Sequence, residues 1–213
     1  MEVIFRETKS YFGMINLEKE CDMIILSEHQ TISGFDCGNT DLNEFFNQDA
    51  ILYSRQMLSK TFFLRHKRNG AIVGAFSFSA SSIKTADLPG SRRKKVKEYV
   101  PREKSFKSYP GILIGRLGIA KEFNGQGLGT QLIEIIKTYC LINFSEFVRF
   151  ILVDAYNEPA VLNFYQKNEF ITVFSTEEQE KESYRQPLSE KLQTRYMFYD
   201  MIHWRNKYEH LTE

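Results

Sequence analysis

The residues of this chain best suited by type and spacing to do chemistry are Asn124-Gly125-Gln126-Gly127-Leu128-Gly129-Thr130, directly before an apolar helical pattern. The three alternating glycines strip away side chains, so backbone N–H groups can approach an anion. The start of the following helix adds aligned donors and partial positive charge. Such a loop suits a phosphate or a pyrophosphate. Its spacing excludes the two commonest nucleotide loops. No lysine precedes Thr130, as a P-loop requires, and the third glycine follows the second by two residues where a dinucleotide fingerprint needs three. A plain turn would not require three glycines, because each costs chain entropy on folding.

Two residues further along could work with this loop. Asn157 precedes Glu158-Pro159, a good first turn of a helix, and reads either as that helix's N-cap or as a ligand contact. Tyr165 falls on the same helix, where it is either an ordinary packing aromatic or a proton donor.

The elements that must position these residues follow from periodicity. Met23–Leu26 reads as a strand, and Val3-Ile4-Phe5 as a short one. Phe35–Asp41 reads as a turn into a helix capped by Thr40, with Leu42, Phe45, Phe46 and Tyr53 on a core stripe. Thr61–Arg65 and Ile72–Ser79 form a hairpin around Asn69-Gly70. Ile112–Ala120 is apolar on both faces, as a central strand is. A helix over Leu128–Asn143 buries Leu132, Ile135, Ile136 and Tyr139. Then come a strand over Phe147–Ala155, a helix to Lys167, strands over Phe170–Phe174 and Arg195–Met201, and between those two a polar loop around Thr176–Glu190. Strand, glycine loop, helix, strand is a βαβ unit behind an antiparallel hairpin. The fold class is therefore α/β (α+β), with a mixed, mostly antiparallel sheet and helices on both faces.

Composition fits one globular domain. Of 213 residues, 42% are hydrophobic and 26% charged, and no apolar run approaches the length of a membrane span. Three scattered cysteines and four scattered histidines offer no disulfide or metal framework, so a cytoplasmic protein without a metal is expected. The net charge of +1 hides an asymmetry. Segment Ser91–Tyr109 holds Arg92, Arg93, Lys94, Lys95, Lys97, Arg102, Lys104 and Lys107 against only Glu98 and Glu103, interleaved with Tyr99, Phe106 and Tyr109. It reads as a solvated loop with a short helix near Arg92–Tyr99, or as a patch that attracts phosphates.

The stretch Ile114–Thr130, with Asn157–Ala160 and Asn163–Phe170 downstream, resembles the GNAT superfamily of acyl-CoA N-acyltransferases. The family's loop pattern is Gln/Arg-x-x-Gly-x-Gly/Ala; here Asn124 takes the first position, followed by Gly127 and Gly129. The resemblance implies an N-acetyltransferase domain over residues 23–202, between an N-terminal extension (1–22) and a C-terminal tail (203–213). It implies acetyl-CoA as co-substrate, with its pyrophosphate on Asn124–Thr130 and its pantetheine arm along Leu117, Gly118 and Ile119, where the central strand splays from its neighbour. An N–H of Leu117 or Ile119 would face the thioester oxygen, Asn157 would touch the pantetheine, and Tyr165 would protonate the departing thiolate. That transfer is uphill by about 2 kcal/mol in water, since tyrosine titrates near ~10 and a thiol near ~8.5. No base is evident in the sequence, which favours an α-amine of pKa ~7.7–8.0 over a lysine as acceptor.

The segment Ser33–Phe46 and the approach Leu113–Leu117 are similar to those of the GNAT toxins of bacterial toxin–antitoxin pairs. That likeness implies the amino group of aminoacyl-tRNA as acceptor, tRNA phosphates on Arg92, Arg93, Lys94, Lys95 and Lys97, and an antitoxin partner, and it is compatible with a homodimer. A small-molecule amine, a peptide N-terminus and a non-catalytic CoA-binding role are the alternatives.

Overall fold

The computed structural model describes residues 15–27, 32, 34–86, 88–98, 100 and 106–209. The expected strand Val3–Phe5 lies outside them. In chain order the elements are α1 (Leu17–Glu20), β1 (Cys21–Ile25), α2 (Thr40–Glu44), a π-helical turn (Phe45–Asp49), α3 (Ala50–Arg55), β2 (Lys60–His66), β3 (Ile72–Lys84), α4 (Gly90–Lys97) and β4 (Ser108–Ile119). A 3₁₀ turn (Lys121–Phe123) follows, then α5 (Leu128–Phe144), β5 (Phe150–Tyr156), α6 (Pro159–Lys167), β6 (Ile171–Thr172), α7 (Glu177–Tyr184), β7 (Thr194–Asp200) and α8 (Met201–Glu209).

The strands form one seven-stranded sheet in the order β1-β2-β3-β4-β5-β7-β6. Only β4 and β5 run parallel; every other neighbour is antiparallel. Strand alternation divides the core into two faces. On one, Phe62, Phe76, Phe78, Ile151, Val153, Met197 and Tyr199 pack beneath α5, with Leu17 of α1, Tyr165 of α6 and Trp204 of α8. On the other, Phe63 and Ala75 lie under Phe45, Phe46 and Ala50, while Ile83, Phe150, Leu152 and Phe198 lie under Val96 of α4.

Four expectations need correction. The N-cap of α2 is Asn39, whose side chain accepts the Leu42 N–H, and Thr40 is the first helical residue. The polar stretch Thr176–Glu190 contains α7, because the Thr176 side chain caps it at Gln179 N and glutamates fill its first turn. The end of the chain holds α8, which docks on α5 through Trp204, whose indole N–H donates to Thr138 Oγ1 at 3.2 Å. β4 starts at Ser108 because Ser108–Gly111 pair with an extension of β3, Ser81–Lys84.

The described parts of the flanking segments, residues 15–22 and 203–209, pack on the same core. Leu17 is 1% exposed, and the Gln131 amide of α5 ties it in by accepting Leu17 N–H and donating to Ile15 O. Among the described residues, no helix is long and apolar enough to cross a membrane.

Candidate active site

The site is an opening in the sheet. β4 and β5 pair only from Gly111↔Phe150 to Ile114↔Val153. Beyond that point β4 runs on to Ile119 and β5 to Tyr156 with no ladder between them. A register shift near Gly115 places Arg116 opposite Ser77 and Ile114 opposite Phe78, a bulge that bends β4 away from its parallel neighbour. Further along, Ala120 N–H donates to Val73 O at 2.9 Å. Bonded and unbonded pairs alternate along an antiparallel ladder, so Gly118 and Arg116 face β3. Leu117 and Ile119 therefore turn their N–H and C=O groups into the opening, where an extended ligand arm can add as a strand.

The glycine loop closes one end. Gly125 and Gly127 have φ of 79° and 73°, a left-handed conformation that a side chain would strain, and Gly127 is the N-cap of α5. No side chain caps that helix. Among the described residues, the backbone N–H groups of Gly125, Gln126, Gly127, Leu128 and Gly129 have no acceptor. Five consecutive free donors at a helix start fit the pyrophosphate of a CoA thioester. Gly129 serves close approach instead: a Cβ there would lie 3.0 Å from Cε2 of Phe164.

These parts line one cleft of about 390 Å³. It brings together Leu117, Gly118, Ile119, Asn124, Gly125, Gly127, Leu128, Gly129 and Thr130 from the expected set, with Gln126 contributing its place in the loop. It adds Cys37, Asn39, Leu42, Phe123 and Phe164, which lie in the resembling segments but to which the sequence assigned no site role. The wall at Cys37 is built by asparagines. Asn43 Oδ1 accepts Cys37 N–H at 2.8 Å, its Nδ2 donates to Asp36 Oδ1, and Asn47 holds Phe35 through both its N–H and its carbonyl. This knit turn presses Cys37 so close to β4 that a Cβ on Gly118 would sit 3.1 Å from its Sγ. The Gly38 N–H and the Asn43 amide hold the Asp36 carboxyl below its ordinary pKa.

Two expected residues stand off the cleft lining. Asn157 donates its amide to Glu177 Oε2 and to Leu192 O, pinning the start of α7 to the approach of β7. It is not the cap of α6 either; Glu158 holds that position and makes no side-chain cap. Tyr165, 7% exposed, packs edge-on against Phe164 and Phe170. Its hydroxyl has no hydrogen bond to any described residue, and burial pushes its pKa above that of an ordinary tyrosine.

Across the opening, on the face of α2 and α7, a second group assembles. Tyr156 Oη donates to Asp41 Oδ2 at 3.0 Å. The Arg116 guanidinium lies 5.2 Å from the Phe45 ring centroid, donates to Gly115 O, and brings its Nε to 3.7 Å from Asp41. Asp154 lies on the same sheet face, beside Tyr156.

A parallel strand pair that separates next to a glycine-rich helix start offers an extended, phosphate-bearing ligand both a strand edge and an anion cradle. A sequence model of the acetyltransferase (GNAT) family matches residues 25–170, and the chain belongs to that family. It is an acetyl-CoA-dependent N-acetyltransferase. It is 26% identical over 136 residues, 63% of this chain and 75% of the relative, to a tRNA-acetylating toxin of Mycobacterium tuberculosis. Among solved structures, a bacterial toxin matches with a TM-score of 0.66 at 20% identity, covering 89% of this chain and 96% of that one. AtaT in complex with acetyl-methionyl-tRNA matches with a TM-score of 0.62 at 21% identity, covering 89% and 99%. A tyrosine-to-phenylalanine variant of KacT matches with a TM-score of 0.63 at 19% identity, covering 88% and 99%.

Proposed function

We propose that this N-acetyltransferase acts on the α-amino group of aminoacyl-tRNA, in the cytoplasm, as a toxin held in check by an antitoxin. The observation that carries the acceptor is the likeness to a tRNA-acetylating toxin over most of the relative's length. The placement of α4 supports it. Lys94 and Lys95 are exposed and Lys97 half-buried, and none forms an ion pair with a described residue. Arg93 is spent on the carbonyls of Ala86 and Leu88, and Arg92 reaches Ser175. The helix packs over the paired part of β4 and β5, with Val96 in one cluster with Leu113 and Leu152, just short of the point where the two strands separate. Unpaired lysines flanking the opening suit an acceptor that carries phosphates, as tRNA does. The antitoxin follows from AtaT, whose structure was solved bound to the C-terminus of its antitoxin AtaR.

In this reading the N–H groups of Gly125–Gly129 hold the pyrophosphate, and Leu117 to Ile119 line the pantetheine arm. A Leu117 or Ile119 N–H stabilises the oxyanion that forms when the amine attacks the thioester carbonyl. Tyr165, protonated and with no described partner for its hydroxyl, donates to the departing thiolate, its burial adding to the uphill cost of that transfer. Labelled acetyl-CoA offered with charged and with deacylated tRNA tests the acceptor. Label is expected in charged tRNA only; label in free amines with none in charged tRNA overturns the reading.

A further inference from the structure

The acceptor's proton still needs a destination, and the face of the opening toward α2 and α7 supplies one. Asp154 is the first β5 residue beyond the last β4–β5 pair, Ile114↔Val153, so it stands at the mouth of the split. Strand parity puts it with Leu152 and Tyr156 on the face opposite α5. There β3 presents a run of serines, Ser77, Ser79 and Ser81, where a packed sheet would carry apolar residues. This polar strip lies between the α2 wall and the α7 wall on the side opposite α5, with Ser77 buried at its inner end.

The other charged groups around the strip are already committed. Asp41 of α2 takes the Tyr156 hydroxyl and faces Arg116 of β4. Glu180 of α7, 1% exposed, is held by Arg195 Nε at 2.6 Å and by the Tyr196 N–H at 2.7 Å. Tyr196 of β7 donates to Ser82 O. Asp154 alone among these carboxylates has neither an ion pair nor a hydrogen bond to a described residue, and its side chain is open to the strip.

We propose that Asp154 is the residue that receives the acceptor's ammonium group and takes its proton, so that the neutral amine attacks the thioester carbonyl from this face. This rests on the acetyltransferase activity and, for the identity of the amine, on the proposed tRNA acceptor. The ammonium gives one proton to the Asp154 carboxylate, and the freed nitrogen lone pair forms the C–N bond. The C–S bond then breaks with its electron pair on sulfur, Tyr165 protonates the thiolate and regains the nitrogen's second proton through solvent, and Asp154 returns the first to solvent. Partial desolvation by its neighbours raises the pKa of Asp154, which strengthens it as a base. Tyr184 and Glu180 of α7 and Tyr196 of β7 are the titratable groups whose fields couple to it.

The test pairs wild type with Asp154→Asn, a near-isosteric change at an exposed position. In the absence of acetyl-CoA, wild type is expected to bind charged tRNA with a free amino group several-fold more tightly than the same tRNA after N-acetylation, and Asp154→Asn to lose that preference. In single turnovers, the variant is expected to be slower by about 100-fold at pH 6, with the deficit shrinking toward pH 9 as the ammonium loses its proton to solvent unaided. An unchanged pH profile and an unchanged binding preference in Asp154→Asn overturn the proposal. If wild type leaves charged tRNA untouched and acetylates a free amine, the tRNA reading falls alone, and the same two profiles on that amine decide the role of Asp154.

Discussion

Gly129 and Phe164 touch across the cleft at a distance that leaves no room for a β-carbon: one built on Gly129 would lie 3.0 Å from the Phe164 ring edge. The two residues belong to α5 and α6, so the missing side chain sets how closely those helices flank the glycine loop. Gly129→Ala adds about 1 kcal/mol of helix propensity while forcing the ring to give by a few tenths of an ångström. Melting temperature is therefore expected to change little, whereas calorimetry should show acetyl-CoA binding about tenfold weaker, about 1.4 kcal/mol.

Tyr165→Phe separates a packing role from a chemical one. The Tyr165 ring is built into the core against Phe170, and its hydroxyl bonds to no described residue. Phenylalanine keeps the ring and removes only the hydroxyl. Stability is expected to be equal or slightly higher, acetyl-CoA affinity unchanged, and kcat lower by about 100-fold, the size of a lost proton donor. Full turnover in the variant would remove Tyr165 from the mechanism.

The proposed contact of the α4 lysines with tRNA phosphates is read through its salt dependence. Converting Lys94, Lys95 and Lys97 to alanine should weaken tRNA binding without changing the acetylation of a small model amine. For every lysine–phosphate pairing removed, the slope of log affinity against log salt falls by about 0.9 for a duplex and about 0.7 for a single strand. Filter binding across a salt series reads this directly.

Lys137 gives a pH signature of the fold. It is 2% exposed, with Nζ 3.7 Å from the Tyr199 ring centroid, 2.9 Å from Asn168 O and 3.3 Å from Glu169 Oε2. Burial lowers its pKa despite Glu169. Below the lowered pKa the lysine is charged in both states, and its burial penalty is fully present. Between that pKa and about 10.4 the native state sheds the proton first, so stability from this residue rises with pH. Wild type is therefore expected to gain stability relative to Lys137→Met as pH climbs through that window, in denaturant titrations of the two proteins.

Much of the architecture was legible because it rests on local patterns. The apolar run Ile112–Ala120, the glycine loop, and the recurrence of Leu132, Ile136 and Tyr139 announce a buried strand entering a helix, and α5 begins at Leu128 as its glycines imply. The Asn69-Gly70 turn likewise places β2 beside β3. The polar helix α4 was legible in part, near Arg92–Tyr99, but two peripheral helices were not. α7 buries only Glu180 and Lys181, so its signal is a threonine cap and early glutamates, with no apolar stripe. α8 is held by Met201 and Trp204, too few residues for a period. The site divided in the same way. Glycines declare a cradle from sequence, but nothing local says that the β4–β5 ladder stops at Val153 or that Asn43 and Asn47 press Cys37 onto Gly118. The isolation of Asp154 is a tertiary fact, visible only once Asp41 and Glu180 have found their partners.

The central claim is that the opening between β4 and β5 passes an acetyl group from acetyl-CoA to the α-amine of a charged tRNA. Its most direct measurement is mass spectrometry of the amino acid released by mild base from charged tRNA treated with the protein and acetyl-CoA. The account predicts an N-acetylated amino acid, absent when acetyl-CoA is omitted. Release of the unmodified amino acid alone, while acetyl-CoA is consumed on another amine, would contradict it.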